Sequence, residues 1–389
     1  MKVDAHSAPA WIGARPTLAQ SAAVLAIGVV GVMIAGLQPL LLGELQHEAR
    51  LTASQIGHAA TAELMTMGLT LALAGAWLAP ERLRLITAAA GAALAAANLA
   101  TLQVSGEMIT LVRGVAGAPE GLLVWVTINL ITRAPRPERW SGLFLTLQTL
   151  AQLAMASLLT AFVVGRYGAN GGFMALAGLG VVAAACSLAV PGRFLRLPRA
   201  EEGGLSPPAG WAALGACFLF LAFIVGVWVY AEPLSRQAGH APAVAGTAVS
   251  ISLACQVLGG TAATLLAGRV RWFWAVVVCG VADLGLLAVF ASLPPPVLFL
   301  AGCGAFGFLW LFVLPFFAPM AIEADPSRRA AVLLGGAQLL GSSLGPLFAS
   351  FLVSDAETRG ALGFGAVCLI LAMGLMAGLH LRHGRAARI

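Results

Sequence analysis

Long, uninterrupted apolar runs recur along the whole chain and constrain its fold more than any other feature. The 389 residues are 60% hydrophobic and 10% charged, with a mean hydropathy of +0.92. A helical run of about 20 apolar residues matches the hydrocarbon core of a bilayer, whereas barrel strands alternate apolar and polar residues over segments of about 10. We therefore predict an all-α integral membrane protein, which excludes a cytosolic enzyme.

Apolar stretches bounded by Arg, Pro, Gly or acidic residues predict twelve transmembrane helices. The first six lie near 20–43, 54–79, 85–104, 108–132, 141–165 and 171–192. The second six lie near 210–231, 243–267, 273–292, 297–322, 330–354 and 361–381. The least hydrophobic connection divides these two sets. The predicted organisation is an N-terminal six-helix bundle over 1–192, a cytoplasmic central loop over 193–209 and a C-terminal six-helix bundle over 210–389.

Basic residues fall mainly in alternate connections, which predicts the orientation. The rich connections hold Lys2, Arg15, Arg82, Arg84, Arg133, Arg136, Arg139, Arg193, Arg196, Arg199, Arg269, Arg271, Arg328, Arg329, Arg382, Arg385 and Arg388. The others hold Arg50, Arg166, Arg236 and Arg359. Since short cytoplasmic loops carry the excess of Lys and Arg, we predict that both termini are cytoplasmic. The excess of Arg over Lys and the abundant Ala are typical of a GC-rich bacterial genome, which places the protein in a bacterial inner membrane.

The two halves repeat a local pattern. Pro and Arg residues follow the fourth and tenth spans, and Gln148 follows Arg139 at the spacing at which Gln338 follows Arg329. Glycine and proline are expected to break both of these spans, at Pro119 in one and Pro315 in the other. Interrupted helices at matching positions of two repeats point to the central site of a transporter.

The fourth span carries Arg113-x-x-x-Gly117-x-x-x-Gly121. With twelve spans in two sets of six and a cytoplasmic central loop, this pattern resembles the major facilitator superfamily. The resemblance implies two pseudo-symmetric six-helix bundles that rock about a cavity at the midplane, lined chiefly by spans 1, 4, 7 and 10.

The loop signature of that family, between spans 2 and 3, is degenerate here. Gly75 matches its first glycine, but Ala79 and Pro80 replace its acid and first arginine. Arg82 and Arg84 remain as candidate gating residues. The second copy, at Gly268-Arg269-Val270-Arg271, also lacks its acid.

Four ionisable residues inside predicted spans are functional candidates, since a charge at the bilayer centre costs about 3 kcal/mol or more. They are Glu63, Arg113, Glu120 and Asp283. Their depths from the outer side, roughly 13 Å for Glu63 and 8 Å for Arg113, allow a Glu63–Arg113 pair within the N-terminal bundle. Arg113 and Glu120 lie about 10 Å apart along one helix face, too far for direct contact on an unkinked helix. In the functional interpretation Arg113 opens onto the cavity and binds an anionic group or a carboxylate, while Glu63 or Glu120 exchanges a proton. In the structural one, a static ion pair ties spans 2 and 4 together.

Asp283 has no cation in a neighbouring span. A structural role, with a hydrogen bond to another helix, is favoured for it. Glu323, Asp325, Arg328 and Arg329 at the end of span 10 are predicted to form a gate or a cap.

Neutral side chains are expected to line the rest of the cavity. The candidates for hydrogen bonding to a substrate are Gln38, Gln148, Gln256 and Gln338, with Gln152 one turn after Gln148. Trp310, in mid-span, either packs or stacks on a flat substrate. Trp228 and Tyr230 are interpreted as interfacial belt residues near the end of span 7.

Motifs for other chemistry are missing from the sequence. It contains no Walker loop, no His cluster with metal spacing and no Ser nucleophile elbow, so we predict no enzyme activity, cofactor, metal or use of ATP. The six cysteines lie in apolar runs without a Cys-x-x-Cys pair and are expected to pack. Scattered basic residues argue against a nucleic-acid partner.

These features predict a monomeric secondary transporter, coupled to protons, that moves a small organic solute, amphipathic or anionic, by alternating access. One alternative is proton-antiport efflux of toxic amphipathic compounds. The fifth span lacks the Gly-x-x-x-Gly-Pro string that is frequent in such exporters, and a similar string, Gly341-x-x-x-Gly345-Pro346, lies in the eleventh. The other alternative is a non-transporting membrane sensor or assembly factor built on a transporter fold.

Overall fold

The computed structural model describes residues 11–197, 206–266 and 269–386, apart from the side chains of residues 138, 332 and 383–386. Residues 198–205 of the predicted central loop lie outside this range. So do Gly268 of the second loop motif and the cations Lys2, Arg199 and Arg388. Within the described residues the chain is helical, and the extended contact between Glu81 and Arg193 is an isolated bridge.

The first half of the chain forms seven helical segments. They are α1 (Leu18–Gly31), α2 (Met33–His47), α3 (Ala53–Trp77), α4 (Leu83–Thr101), α5 (Glu107–Ile131), α6 (Pro137–Leu158) and α7 (Val164–Cys186). Thr17 and Thr52 begin α1 and α3, and each accepts a hydrogen bond from a backbone N–H of the first turn, in capping boxes completed by Gln20 and Gln55. A π-helical turn, Leu159–Val163, joins α6 to α7.

The second half forms eight. They are α8 (Pro208–Trp228), α9 (Ala231–Gln237), α10 (Pro242–Leu266), α11 (Trp272–Ala291), α12 (Pro296–Val313), α13 (Phe317–Ala324), α14 (Arg329–Ser350) and α15 (Gly360–Ala386). Proline opens α8, α10 and α12, where its missing N–H removes no intrahelical hydrogen bond.

Ten helical segments of the described chain are long and apolar enough to cross a bilayer. Leu18–His47 combines α1 with α2, and Arg139–Cys186 combines most of α6 with α7 over 48 residues. The 22 residues of α14 are not among the ten. The chain is thus a multi-pass helical membrane protein.

The 48-residue segment contains one non-helical residue, Gly168, with φ 58° and ψ −152°. This backbone conformation is open to glycine because it has no Cβ. Glu48, after α2, accepts a hydrogen bond from the Ala169 N–H at 2.7 Å, and Arg50 donates to the Asn170 side chain at 2.7 Å. The turn at Gly168 therefore lies beside the α2–α3 connection.

The connections between the helices lie at two ends of the molecule, and side-chain hydrogen bonds link them at each end. At the first, Gln46 donates to Asp355 at 3.2 Å and Gln237 donates to Glu357 at 2.9 Å. We call this the Arg50 end. At the second, the Arg133 end, Arg84 donates to the Val190 carbonyl at 2.9 Å, Arg133 donates to the Leu195 carbonyl at 2.7 Å, and the Ser206 hydroxyl donates to Asp325.

The fourth and tenth spans were both predicted to be interrupted, and the structure differs between them. A 3-10 turn, Leu314–Phe316, separates α12 from α13 at Pro315, so the break expected in the tenth span is present. The fourth span, α5, runs continuously through Pro119, and the break expected there is wrong. The first span has an unexpected break at Val32, whose carbonyl accepts a hydrogen bond from Gln152 Nε2 at 2.7 Å. The Ala35 N–H also donates to this carbonyl, at 3.3 Å, so Gln152 of α6 adds a side-chain donor at the break.

The glycines of the Arg113-x-x-x-Gly117-x-x-x-Gly121 pattern are packing residues. A Cβ at Gly117 would collide with the Glu63 carbonyl of α3, and one at Gly121 would collide with the Met67 carbonyl. Small residues at this spacing let two membrane helices approach closely. Gly341 and Gly345 of α14 meet the backbone of α8 in the same way.

Candidate functional site

Arg113 is the centre of a buried ion cluster in the first half of the chain. Its side chain is 0% exposed. One terminal nitrogen donates to Glu63 Oε1 of α3, so the predicted Glu63–Arg113 pair is present. The other donates to Asn98 Oδ1 at 2.8 Å and to Thr101 Oγ1 at 3.4 Å, both on α4. Arg113 of α5 is therefore bonded to two neighbouring helices.

Glu120 completes the cluster, contrary to the expectation that it is out of reach. Its Oε1 lies 3.8 Å from Arg113 Nη2. The backbone separation of about 10 Å is bridged because both side chains are long, and the Cα–Cβ bonds of a helix tilt toward its N-terminus, which directs Glu120 toward Arg113. On the α7 side, the Arg113 guanidinium lies 5.1 Å from the ring centre of Phe173. This is within the range of a cation–π contact.

The cluster is sealed inside the protein. Glu63 Oε2, Glu120 Oε2 and Arg113 Nε have no hydrogen-bond partner among the described residues. A void of about 10 Å³ adjoins Glu120 and Asn98, about the space that one water requires. Arg113 does not line the central cavity described next, so the expectation that it opens onto that cavity is wrong in this conformation.

The central cavity has a volume of about 310 Å³ and lies between the two halves of the chain. It brings together Gln148 of α6, Gln256 of α10, Gln338 of α14 and Trp310 of α12, four of the predicted site residues. The other lining residues are Ala35, Gly36, Leu145, Thr149, Gln152, Leu221, Trp228, Leu253, Leu311, Leu314, Gly335, Leu339 and Ser342. None of these lining residues carries a charge, so the wall offers amide and hydroxyl hydrogen bonds beside apolar surface.

Two tryptophans bound the cavity on the side of the Arg50 end. The rings of Trp228 and Trp310 are 5.8 Å apart, edge to face at 70°. The Trp228 indole N–H donates to the Ala35 carbonyl of α2 at 3.2 Å. Trp228 is 2% exposed, so its interpretation as a belt residue is wrong, and buried Tyr230 does not fit a belt either. The burial of Trp228 in the cavity wall could not be predicted from its position near the end of a span. A tryptophan of the interfacial belt and one that lines a cavity can occupy the same position in a sequence.

Gln38 and Asp283 lie away from this cavity. Gln38 is fully buried, and its amide has no hydrogen-bond partner among the described residues. Asp283 of α11 is also fully buried, and within the described chain neither carboxyl oxygen has a partner. The hydrogen bond that we expected from Asp283 to another helix is therefore not found there. Neither Gln38 nor Asp283 lines the cavity with the other candidate site residues.

The predicted gating residues lie at the Arg133 end. Arg82, with φ 51°, directly precedes α4, and Arg84 bonds the Val190 carbonyl. Glu323 accepts a hydrogen bond from the Trp272 indole at 2.7 Å. Arg328, with φ 64°, and Arg329 begin α14. None of these arginines lines the central cavity.

Asp325 joins three segments at that end. It accepts hydrogen bonds from the Ser206 hydroxyl before α8, from Ser327 and from the Ala330 N–H in the first turn of α14 at 3.0 Å. The Ser206 hydroxyl, with Ser327 and the backbone donors, holds the pKa of the Asp325 carboxyl at about 2, below its ordinary value. This geometry is that of a cap on α14, one of the two roles predicted for the group.

Comparison with known proteins places the fold. No protein-family model matches the sequence, and no curated protein matches it either. A variant of the nucleoside transporter NupG superposes with a TM-score of 0.69 at 14% identity, over 92% of this chain and 99% of that one. A bacterial homolog of the human lysosomal transporter Spinster, inward-facing and occupied, superposes with a TM-score of 0.62 at 13% identity, over 95% of this chain and 96% of that one. The chain therefore has the fold of the major facilitator superfamily transporters.

Proposed function

We propose that this protein is a secondary transporter that carries a small, uncharged, flat organic solute across a bacterial inner membrane by alternating access. The observation that carries the proposal is the central cavity, walled by glutamines and two tryptophans. The similarity to NupG and the Spinster homolog supports transport, since both are transporters.

The proposal includes twelve membrane crossings in two pseudo-symmetric bundles. The turn at Gly168 divides the 48-residue segment, because Asn170 lies at the Arg50 end and Val190 at the Arg133 end. The eleventh crossing is α14, which runs from Ala330 at the Arg133 end to Ser350 beside Ser54. The cation distribution places the Arg133 end and both termini in the cytoplasm. The bundles correspond to 1–192 and 210–389.

Hydrogen bonds join the two halves at the Arg50 end in this conformation, beside a cavity of about 730 Å³ that Arg50, Arg236 and Asp355 line. Ser54 of α3 bonds the Ser350 carbonyl at 3.1 Å, and the Ala53 N–H bonds Asp355 at 2.7 Å. Trp228 and Ala35 close the cavity below these contacts. With that end outside the cell, these contacts restrict access from the exterior, and the Spinster homolog was likewise solved in an inward-facing conformation.

An uncharged solute fits the cavity better than the anionic one expected from the sequence. An anion there would lose its hydration with no cation among the lining residues to replace it, a penalty of several kcal/mol. Glutamine amides both donate and accept, so they pair with solutes that do the same. Tryptophan rings favour flat aromatic surfaces. A nucleoside has all of these properties, and NupG, by its name, transports nucleosides.

Proton coupling remains part of the proposal, with Glu120 exchanging the proton. The cluster holds one guanidinium and two carboxylates, a net charge of −1 when all are ionised. One proton on a carboxyl makes it neutral, which suits complete burial. The void beside Glu120 gives that carboxyl space for a water.

The experiment is uptake of radiolabelled uridine or adenosine into proteoliposomes, with the 5′-monophosphates as matched charged solutes. We expect saturable uptake of the nucleosides, increased by an acidic exterior and abolished by a protonophore, and none of the monophosphates. Gln338→Leu and Trp310→Ala should each weaken solute binding by roughly 5- to 100-fold, the effect of about 1–3 kcal/mol at a buried polar or aromatic contact.

Four outcomes would overturn parts of this proposal. Equal uptake of the monophosphates would contradict the uncharged-solute assignment. Extrusion of amphipathic cations with no nucleoside uptake would favour the efflux alternative. Absence of transport together with nucleoside-induced stabilisation would favour a sensor. If Glu120→Gln retains uptake driven by the proton gradient, Glu120 is not the coupling residue.

A further inference from the structure

Three charged side chains connect the two halves of the chain at the Arg50 end, apart from the ion cluster and the cavity. Arg236 of α9 donates through Nε to Glu232 Oε1, one turn earlier on the same helix. Its Nη2 also donates to Glu44 Oε2 of α2 at 3.0 Å. We call the contact between α2 and α9 the Arg236 seam.

Glu232 is the buried member of the seam. It is 2% exposed, and its second oxygen, Oε2, has no hydrogen-bond partner among the described residues. That oxygen lies against Gly43 of α2, where a Cβ would collide with it. The approach of α2 at Gly43 therefore removes this carboxyl from water, and separating α2 from α9 would return it to water.

The charges facing Glu232 do not balance. Arg236 is shared between Glu232 and Glu44, which leaves a net charge of −1 when all three are ionised. Two more titratable residues lie near Glu44: His47 at the end of α2 and Glu48 directly after it. Both interact electrostatically with the Glu44 carboxyl. The helices that contact α9 include α10, which has no Asp, Glu, Lys, Arg or His. From the α14–α15 connection, Glu357 accepts a hydrogen bond from Gln237 of α9 at 2.9 Å. His240, after α9, bonds Ser235 and the Pro294 carbonyl instead.

We propose that Glu232 binds a proton when the Arg236 seam closes, so that closure of the Arg50 end is coupled to the pH of the solution on that side. This inference rests on the proposed function, because it requires the Arg50 end to open during a transport cycle. The proton makes the seam neutral and removes the cost of burying an unpaired carboxylate oxygen.

The direction of the pH dependence follows from linkage. Burial raises the pKa of the Glu232 carboxyl in the closed seam to about 7, although Arg236 lowers it. In an open, hydrated seam the carboxyl returns toward its ordinary value of 4.5. The closed seam therefore holds the proton more tightly. Its extra stability is fully present below the ordinary pKa and is lost as the pH rises through about 7.

The test is a distance measurement on the full-length protein in lipid nanodiscs without solute. Spin labels at Ser105→Cys and Ala241→Cys report on the Arg50 end, in a background where the half-exposed Cys186 and Cys255 are alanine. Double electron–electron resonance from pH 5 to 9 should show the short-distance population falling as the pH rises. The ratio of closed to open molecules should change by up to about tenfold per pH unit below 7.

Glu232→Gln should remove this pH dependence and keep the short distance at every pH. Glu107→Gln, an exposed carboxyl at the same end, is the matched control and should behave as wild type. An equal pH response in wild type and Glu232→Gln would overturn the proposal. Gly43→Ala gives a second route, since its Cβ meets the Glu232 carboxyl and should shift the distance to the open value at all pH values. An unshifted distance in Gly43→Ala also contradicts the proposal.

The outcomes separate this inference from the proposed function. The distances are measured without solute or gradient, so a failure of nucleoside uptake does not alter them. Glu120→Gln should abolish gradient-driven uptake and keep the pH response of the seam. Glu232→Gln should keep solute binding in the cavity and lose that response.

Discussion

The ion cluster around Arg113 and the central cavity are both polar regions within an apolar helical protein, yet they are built in opposite ways. The cluster is charged, fully buried and bonded to itself across α3, α4 and α5. The cavity is uncharged, encloses about 310 Å³, and leaves amides such as Gln256 Nε2 without a hydrogen-bond partner among the described residues.

This difference separates two uses of polar side chains in a membrane. Charges are so costly in lipid that they are stable only where other protein groups satisfy them, which makes them strong connections between helices. Neutral amides cost less when unpaired and can therefore face an empty space. In this protein, the residues most conspicuous in the sequence hold helices together, and less conspicuous glutamines face the cavity.

The largest expected effect is on stability, and it tests whether the ion cluster holds the helices together. Arg113→Ala leaves Glu63 and Glu120 buried without a counter-charge and should destabilise the fold by roughly 3–5 kcal/mol. Thermal unfolding of the purified protein in detergent measures it. A triple variant with Glu63→Gln, Arg113→Met and Glu120→Gln has no charge to satisfy and should recover most of the loss. Wild-type stability of Arg113→Ala would show that the cluster does not hold these helices.

The next effect concerns the helix contact that supports the cluster. Gly117→Ala places a Cβ against the Glu63 carbonyl and within 2.9 Å of the Met67 nitrogen, so α5 and α3 must separate. We expect a loss of roughly 1–3 kcal/mol, typical of overpacking. Gly75→Ala on α3 meets nothing within 4 Å and should instead gain up to about 1 kcal/mol from helix propensity. The same unfolding measurement applies, and similar results for both variants would contradict close packing at Gly117.

The smallest effect on stability is expected in the cavity. Gln256→Leu replaces an amide whose nitrogen has no partner among the described residues, so stability should stay within about 0.5 kcal/mol of wild type. This variant should bind a nucleoside more weakly than wild type does. The shift in unfolding temperature caused by the nucleoside measures that binding. A large loss of stability in Gln256→Leu would place that residue in the framework and remove the distinction between the two regions.

Much of the fold could be predicted because hydropathy and charge act locally. Apolar runs indicated the helices, and Pro315 indicated the interruption of the tenth span. The break at Val32 could not be predicted from the local sequence, since the hydrogen bond from Gln152 that accompanies it comes from another helix. Pro119 is accommodated within a continuous helix, so proline alone did not decide the local geometry.

For the candidate site, the residue types indicated which side chains to consider. The contacts that those side chains make could not be predicted from the sequence. The depths of Glu63 and Arg113 in their spans allowed the pair that the structure contains. The inclusion of Glu120 required the positions of two long side chains, and the place of Trp228 in the cavity wall required the contact with Ala35. Both depend on tertiary packing, which spacing along one helix does not determine. The Arg236 seam joins residues far apart in the sequence and gave no local pattern.

The partners of Arg113 also determine what can move. Hydrogen bonds and a ring contact join α5 to α3, α4 and α7 deep in the interior, so these helices cannot slide past one another without breaking a buried charged contact. Any opening of the Arg50 end must carry them together as one stiff block. The flexing would then fall on segments outside that block, and the interrupted first helix is the nearest of them.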